Sequence, residues 1–392
     1  MIQQTWAIVV DGYRELNAKK LFWVTMLLSG LVVAGFGITS VKAEGIGVLW
    51  YTIPVDLPPG VTSDMWYNFL FVTFGVQIWL TWIAAVLGLV TTAGIIPDFV
   101  SGGSVELSLS KPIGRVRLFL TKYFVGLLFV TLQVAVFSIG CLLVFGLRGG
   151  SWDPRLLLAI PIVVCFFSYL YCVCALVGLI TRSTITSLLV TILLWFVIFV
   201  VNASEGVLFA QRAAAEARVE IDERIAASMT AATREQVIAA RTAMAEGDDG
   251  GVEIAEPTDE EIRAQNPLIQ RRRDAAVQAA ATAESLTPWY RAVRVAEFVL
   301  PKTGDTTELL NRYLPTLAET FIPDDDDTEF AVPEEADDID DRQIRDTAQR
   351  AGQRAMIEDA STRPLWSIIG TSLAFEAVIL GIACLIFRRR DF

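Results

Sequence analysis

Ser108 and Lys111 stand three residues apart in Gly-Ser-Val-Glu-Leu-Ser-Leu-Ser-Lys-Pro-Ile-Gly-Arg, residues 103–115. This is the spacing of a serine nucleophile and lysine base in some acyl-transfer enzymes, but their companion motifs are missing here. The chain has no histidine, which removes imidazole catalysis and imidazole metal ligation. A phosphate-binding loop wraps phosphate in glycine N–H groups and ends in Lys followed by Ser or Thr. Of six lysines only Lys302 precedes such a residue, and Pro301 stands where glycine is required. The expected catalytic set is therefore empty, and any ATP hydrolysis belongs to another polypeptide. Cys141, Cys165, Cys172, Cys174 and Cys384 all fall in apolar runs. Cys172 and Cys174 point to different faces of a helix, so small core residues are expected rather than a metal site or a disulfide framework. One carboxylate, Glu376, sits mid-way along an apolar run, where it must face a partner, water or a subunit interface. Gln77 and Gln133 mark other polar faces, and Asn202 and Glu205 lie near the end of a fifth run.

These groups must be positioned by membrane helices. The 392 residues are 53% hydrophobic and 19% charged, with the apolar residues gathered in blocks. A span takes roughly 20 mostly apolar residues. Six stretches qualify, at 21–41, 67–96, 118–147, 156–181, 184–204 and 365–387. Ten Lys and Arg fall on one side of the short loops (Arg14, Lys19, Lys20, Lys111, Arg115, Arg117, Arg182 and Arg388 to Arg390). Only Lys42, Arg148 and Arg155 fall on the other. The bias places both termini in the cytoplasm and the region between spans five and six outside. The expected fold is an all-α integral membrane protein with six transmembrane helices and a large, mainly helical extracytoplasmic insert. Its parts are an amphipathic helix at 1–20, spans one to five with their loops at 21–204, the insert at 205–363, and span six with a basic tail at 364–392.

The insert carries the acidity. Residues 210–363 hold 18 Lys and Arg against 33 Asp and Glu, a net of -15, while the rest of the chain nets +3. No basic face remains for a nucleic acid. From 203 to 245 the Ala-, Arg- and Glu-rich sequence predicts that span five runs on as a helix, broken at Gly247 to Gly251. A second Ala-rich helix is expected at 258–284, interrupted at Pro267, its packing based on alanine or completed by a partner. Residues 289–322 suit short aromatic elements at the membrane interface. Residues 323–341 read as a solvated acidic linker lacking the ligand spacing of a calcium loop. A charged helix from Asp341 to Met356 would return the chain to span six.

The order Gly-x-Val-Glu-Leu followed by Ser-Lys-Pro-Ile-x-Arg, between spans two and three, resembles the cytoplasmic loop of ABC-type exporter permeases of the type-2 family. Residues 2–18, with Trp6, Val9, Val10, Tyr13 and Leu16 on one face, are similar to the elbow helix of those permeases. The ending Phe387-Arg388-Arg389-Arg390-Asp391 is also similar. The resemblance covers the membrane body, and the long insert departs from it. It implies a coupling loop at 97–117 that docks a separate ABC-type ATPase through Glu106, Leu107, Leu109, Lys111, Pro112 and Arg115. ATP and Mg would be bound by that partner and no cofactor by this chain. It implies a dimer with a second copy or a related permease in a bacterial inner membrane. It also implies a substrate pathway for which Gln77, Asn202 and Glu376 are the candidates. Two other expectations stay open. One is a scaffold or mechanotransmission subunit whose external helices bind an extracytoplasmic protein. The other is an independent secondary transporter.

Overall fold

The computed structural model describes residues 20–42, 45–48, 50–54, 62–101, 114–150, 152–245, 255–314 and 341–390. In chain order its elements begin with α1 (Lys20–Ile38) and strands β1 (Thr39–Lys42), β2 (Gly45–Val48) and β3 (Tyr51–Ile53). Then come α2 (Ser63–Ser101), α3 (Arg115–Gly149), α4 (Pro154–Thr181) and α5 (Thr184–Ala245). The last helices are α6 (Asp259–Gln265), α7 (Pro267–Val299), α8 (Thr303–Glu308), α9 (Asp341–Thr362) and α10 (Trp366–Arg389). Among the described residues α1 to α5 and α10 are long and apolar enough to cross a bilayer, so the chain is a multi-pass membrane protein. The expected elbow helix lies outside the described residues, as do positions 102–113 of the coupling loop and the acidic linker.

Contacts divide the chain into two units. The first comprises residues 1–202, 297–322 and 363–392, and the second 203–296 and 323–362. The first unit is built on α3 and α4, against which α1 and α10 pack. Helices α3 and α4 approach closely at Gly126, where a Cβ would lie 2.4 Å from the Tyr171 hydroxyl oxygen. The middle of α2, Leu70–Ala84, is wound as a π-helix. Its buried positions repeat every four residues, Phe71, Gly75 and Trp79 beside Val72, Val76 and Leu80. Thr81 donates its hydroxyl to the Val76 carbonyl five residues back, at 2.8 Å. Trp79 reaches the Ser29 hydroxyl on α1 at 3.2 Å, and Trp82 stacks on Trp195 of α5 with ring centroids 4.9 Å apart. Leu27 and Leu31 on α1, with Ile185, Leu189 and Leu193 on α5, stay exposed, as expected of side chains solvated by lipid.

Strands β1 to β3 form an antiparallel sheet, with Thr39 opposite Val48 and Ile46 opposite Ile53. The all-α expectation missed it, because strands of three or four residues leave no alternation to read. Tyr67, near the start of α2, donates to the Thr39 carbonyl at 3.0 Å and ties the sheet to the spans.

Residues 297–314 fall in the stretch expected to form short aromatic elements at the membrane interface. They belong with the spans rather than with the rest of the insert, α8 packing on α4. Ionic bonds hold them there. Glu297, nearly buried, lies 3.3 Å from Arg363 and 3.6 Å from Lys302. Arg363 also meets Asp305 at 3.0 Å, and Arg312 donates to the Arg363 carbonyl at 2.8 Å.

The second unit has its own core of Ile225, Met229, Ile262, Ile269 and Ile344. Its helical stretches are the 203–245 part of α5, α6, the 267–296 part of α7, and α9. Helix α9 is the fourth contributor to this core, through Ile344, and not merely a return segment. It also approaches α5 closely, for a Cβ on Gly352 would lie 2.3 Å from the Ala210 carbonyl oxygen. The break expected at Pro267 is found between α6 and α7, but α7 runs on through Pro288 to Val299.

Candidate functional site

Glu376 is placed by α10, ten residues from Trp366 and thirteen from Arg389. At 1.5 Å per residue that is about 15 and about 20 Å from the helix ends. A carboxylate at such a position in an apolar helix calls for polar partners. Tyr123 of α3 donates to Glu376 Oε1 at 2.8 Å, and Ser168 of α4 to Oε2 at 2.6 Å. The same hydroxyls have carbonyls in reach: Tyr123 lies 3.1 Å from the Ser168 carbonyl oxygen, and Ser168 2.8 Å from that of Cys165. The Tyr123 ring is stacked on Tyr171, with centroids 5.1 Å apart and planes 14° from parallel, and Tyr171 stacks in turn on Phe167. This ladder fixes the phenol that meets the carboxylate. Three spans therefore converge on one acidic group.

At the end of the spans where α4 and α10 finish, guanidinium groups close the helices. Arg115 donates to the carbonyls of Arg390 at 2.9 Å and Arg388 at 3.3 Å. Arg390 donates to the Leu179 carbonyl of α4. Such bonds satisfy the orphan carbonyls of two helix C-termini and place positive charge where the helix dipoles are negative.

The remaining candidates are scattered. Asn202 donates to Thr303 Oγ1 at 3.4 Å. Gln77 is half-buried on the π-helical part of α2. Gln133 is 1% exposed, and neither amide atom has a hydrogen-bond partner. No hydrogen bond among the described residues joins any two of Gln77, Asn202 and Glu376. Of the six docking residues only Arg115 is described. Glu106, Leu107, Leu109, Lys111 and Pro112 lie outside the described residues. Tyr123 and Ser168 are the residues that sequence reasoning missed. A tyrosine and a serine in apolar runs are ordinary, and they sit 253 and 208 positions from the carboxylate.

The second unit holds a groove of about 860 Å³ beside the start of α7, lined in part by Arg218, Arg263, Arg271 and Arg272 with Glu260, Asp274 and Asp341. Arg272 bridges Asp341 at 2.6 Å and the fully buried Asp222 at 3.4 Å. The hydrogen bond from Arg272 holds the Asp341 carboxyl below the usual range. Burial pushes Asp222 up in spite of Arg272 and Arg218. With cations and carboxylates in near balance, the groove selects no ligand charge. Among the described residues no cluster of Cys, Asp and Glu could hold a metal.

No family model, no curated protein and no solved structure matches the chain.

Proposed function

We propose that the chain is the membrane-spanning permease subunit of an ATP-driven exporter of the ABC type-2 kind, coupling a separate ATPase to substrate movement. The observation that carries the reading is the residue order of 103–115, falling between two spanning helices in a chain whose sequence has no phosphate-binding loop. Force from nucleotide closure must enter such a chain from outside, and a short segment joining α2 to α3 is where a partner could push both helices. Two copies, or one copy with a related permease, would enclose the pathway in a bacterial inner membrane. Both termini and the 97–117 loop would face the cytoplasm, as the Lys and Arg bias favours. The chain performs no covalent chemistry in this reading, and ATP and Mg belong to the partner. Glu376 is the preferred pathway residue, with Gln77 and Asn202 secondary to it.

Affinity purification of the full chain from its native membranes tests this. A P-loop ATPase is expected in stoichiometric amount, and Glu106→Lys should release it while the permease keeps its detergent stability. If no such ATPase accompanies the chain, the reading fails. Arg115 is the poorer probe, since its bonds to the α10 carbonyls make its loss structural.

A second reading, a mechanotransmission scaffold, draws on α5, one helix of 62 residues that begins in the first unit and ends in the second. It requires that function be lost when the second unit is removed, whereas the exporter reading tolerates that loss.

A further inference from the structure

We propose that Glu376 is a proton-binding site of the membrane unit, at which Ser168 changes its hydrogen-bond acceptor while Tyr123 holds the carboxyl as it takes up or releases one proton. The inference goes beyond the exporter reading and does not depend on it. It rests on a count of donors and acceptors. Two hydroxyl hydrogens face four acceptors: the two carboxylate oxygens of Glu376 and the carbonyls of Ser168 and Cys165. A hydroxyl has one hydrogen to donate, so the arrangement has two complete solutions.

With Glu376 ionised, Tyr123 donates to Oε1 and Ser168 to Oε2, and the 2.6 Å separation suits an O–H···O⁻ bond. Both carbonyls lie inside α4 and keep their helical N–H partners. With a proton on Oε2, that new O–H donates to Ser168 Oγ, and the serine hydrogen turns to the Cys165 carbonyl. Tyr123 stays on Oε1. One proton has been added, no other bond has broken, and every donor is satisfied in both states. A purely structural tie needs only one of these solutions. In a medium where an unpaired polar group is costly, that reversibility separates an exchangeable site from a fixed one.

The surroundings leave a proton as the available counter-charge. Around the carboxylate stand the hydroxyls and thiols of Tyr123 from α3 and of Cys165, Ser168, Tyr169 and Cys172 from α4. Tyr169 in turn neighbours Ser372 of α10 and Thr306 of α8. Lys122, next to Tyr123 in sequence, directs its ammonium over the Phe99 ring at 5.5 Å. Among the described residues Glu376 forms no ion pair with Lys or Arg. Glu376 is only half-buried, so its carboxyl is open to a membrane-soluble reagent.

The test uses the full chain in proteoliposomes, without nucleotide or ATPase, and N,N′-dicyclohexylcarbodiimide, which adds to protonated carboxyls in apolar surroundings. Modification of the Glu376 peptide is read by mass spectrometry between about pH 5 and pH 9, a range in which one group can pass from protonated to ionised. Labelling should fall at least tenfold across it and be absent in Glu376→Gln. Ser168→Ala and Tyr123→Phe, each removing a donor to the ionised form, should extend labelling to higher pH, and Ser168→Thr should restore the wild-type profile. Labelling that is independent of pH, whether complete or absent, would overturn the proposal. So would suppression by sodium at fixed pH, which would make the site one for a metal cation. A missing ATPase would sink the exporter reading and leave this result untouched.

Discussion

Charged residues in this chain do different work according to what surrounds them. Arg234 and Asp259 meet at 3.0 Å on an exposed surface, where an ion pair contributes little. Glu261 is also exposed, but it closes a capping box. It accepts the Thr258 backbone N–H at 3.0 Å, while Thr258 Oγ1 accepts the Glu261 N–H. The Thr258 N–H first, and then Arg241, hold the Glu261 carboxyl below the usual glutamate range. Its folded value is depressed, so its contribution is present above the unfolded value of about 4.3 and is lost as the pH falls through the folded one. Helix α6 should therefore fray on acidification below about pH 4. Backbone amide exchange at Ile262 and Arg263 would report it. Glu261→Gln keeps an acceptor without the charge, so its fraying should be less sensitive to acid. Equal sensitivity in the two proteins would mean that other carboxylates control the helix end.

Among the elements, α5 and α9 owe their fit to small residues. Gly352 lets α9 approach Ala210 and Ala214, and a Cβ there would lie 2.3 Å from one carbonyl oxygen and 2.8 Å from the other Cβ. Gly206, on the facing helix, has only the Met356 sulfur at 3.5 Å. Two glycine-to-alanine changes in one helix pair should then have opposite signs. Gly352→Ala must force the helices apart and is expected to cost about 1–3 kcal/mol. Gly206→Ala gains helix propensity and should stabilise by roughly 0.5–1 kcal/mol. Hydrogen exchange along α9 measures both, and a neutral Gly352→Ala would show that the approach is slack. Sequence made these helices visible but not their contact. The continuation of α5 to Ala245 is legible in a composition rich in Ala, Glu and Arg, because helix propensity is local. The placement of α9 against Ala210 is a matter of tertiary fit between stretches without an apolar stripe. The sheet at Thr39–Ile53 was illegible for another reason, its strands being too short to show a period. The same division holds at the candidate site. Glu376 stood out because a carboxylate in an apolar run is costly, whereas Tyr123 and Ser168 acquire meaning only when three spans meet.

The whole molecule carries two separate cores, and this separation is testable. The core of the membrane unit draws residues from the spans and from Leu310 and Leu314, but none from 203–296 or 341–362. The second core draws its five buried residues entirely from the latter ranges. Each core is made of residues of its own unit, so the membrane unit is expected to keep its core when the second unit is removed. A chain in which 206–293 and 325–360 are replaced by short Gly- and Ser-rich linkers retains Glu297, Lys302, Asp305, Arg312 and Arg363, the ionic cluster that holds residues 297–314 to the spans. It should insert, elute as a single species in detergent, and unfold within a few degrees of the full chain. A destabilisation of that order corresponds to about 1 kcal/mol or less in a domain of this size. Replacing Arg363 by Met in the shortened chain should be far more damaging, since it takes from the buried Glu297 the guanidinium that stands 3.3 Å away. The same protein separates the two functional readings. An exporter whose force enters at 103–115 keeps its ATPase and its transport without the second unit, while a scaffold that works through α5 keeps the ATPase and loses its output. Aggregation of the shortened chain, with the ionic cluster intact, would show that the membrane unit needs the insert to fold, and the separation of the two cores would have to be abandoned.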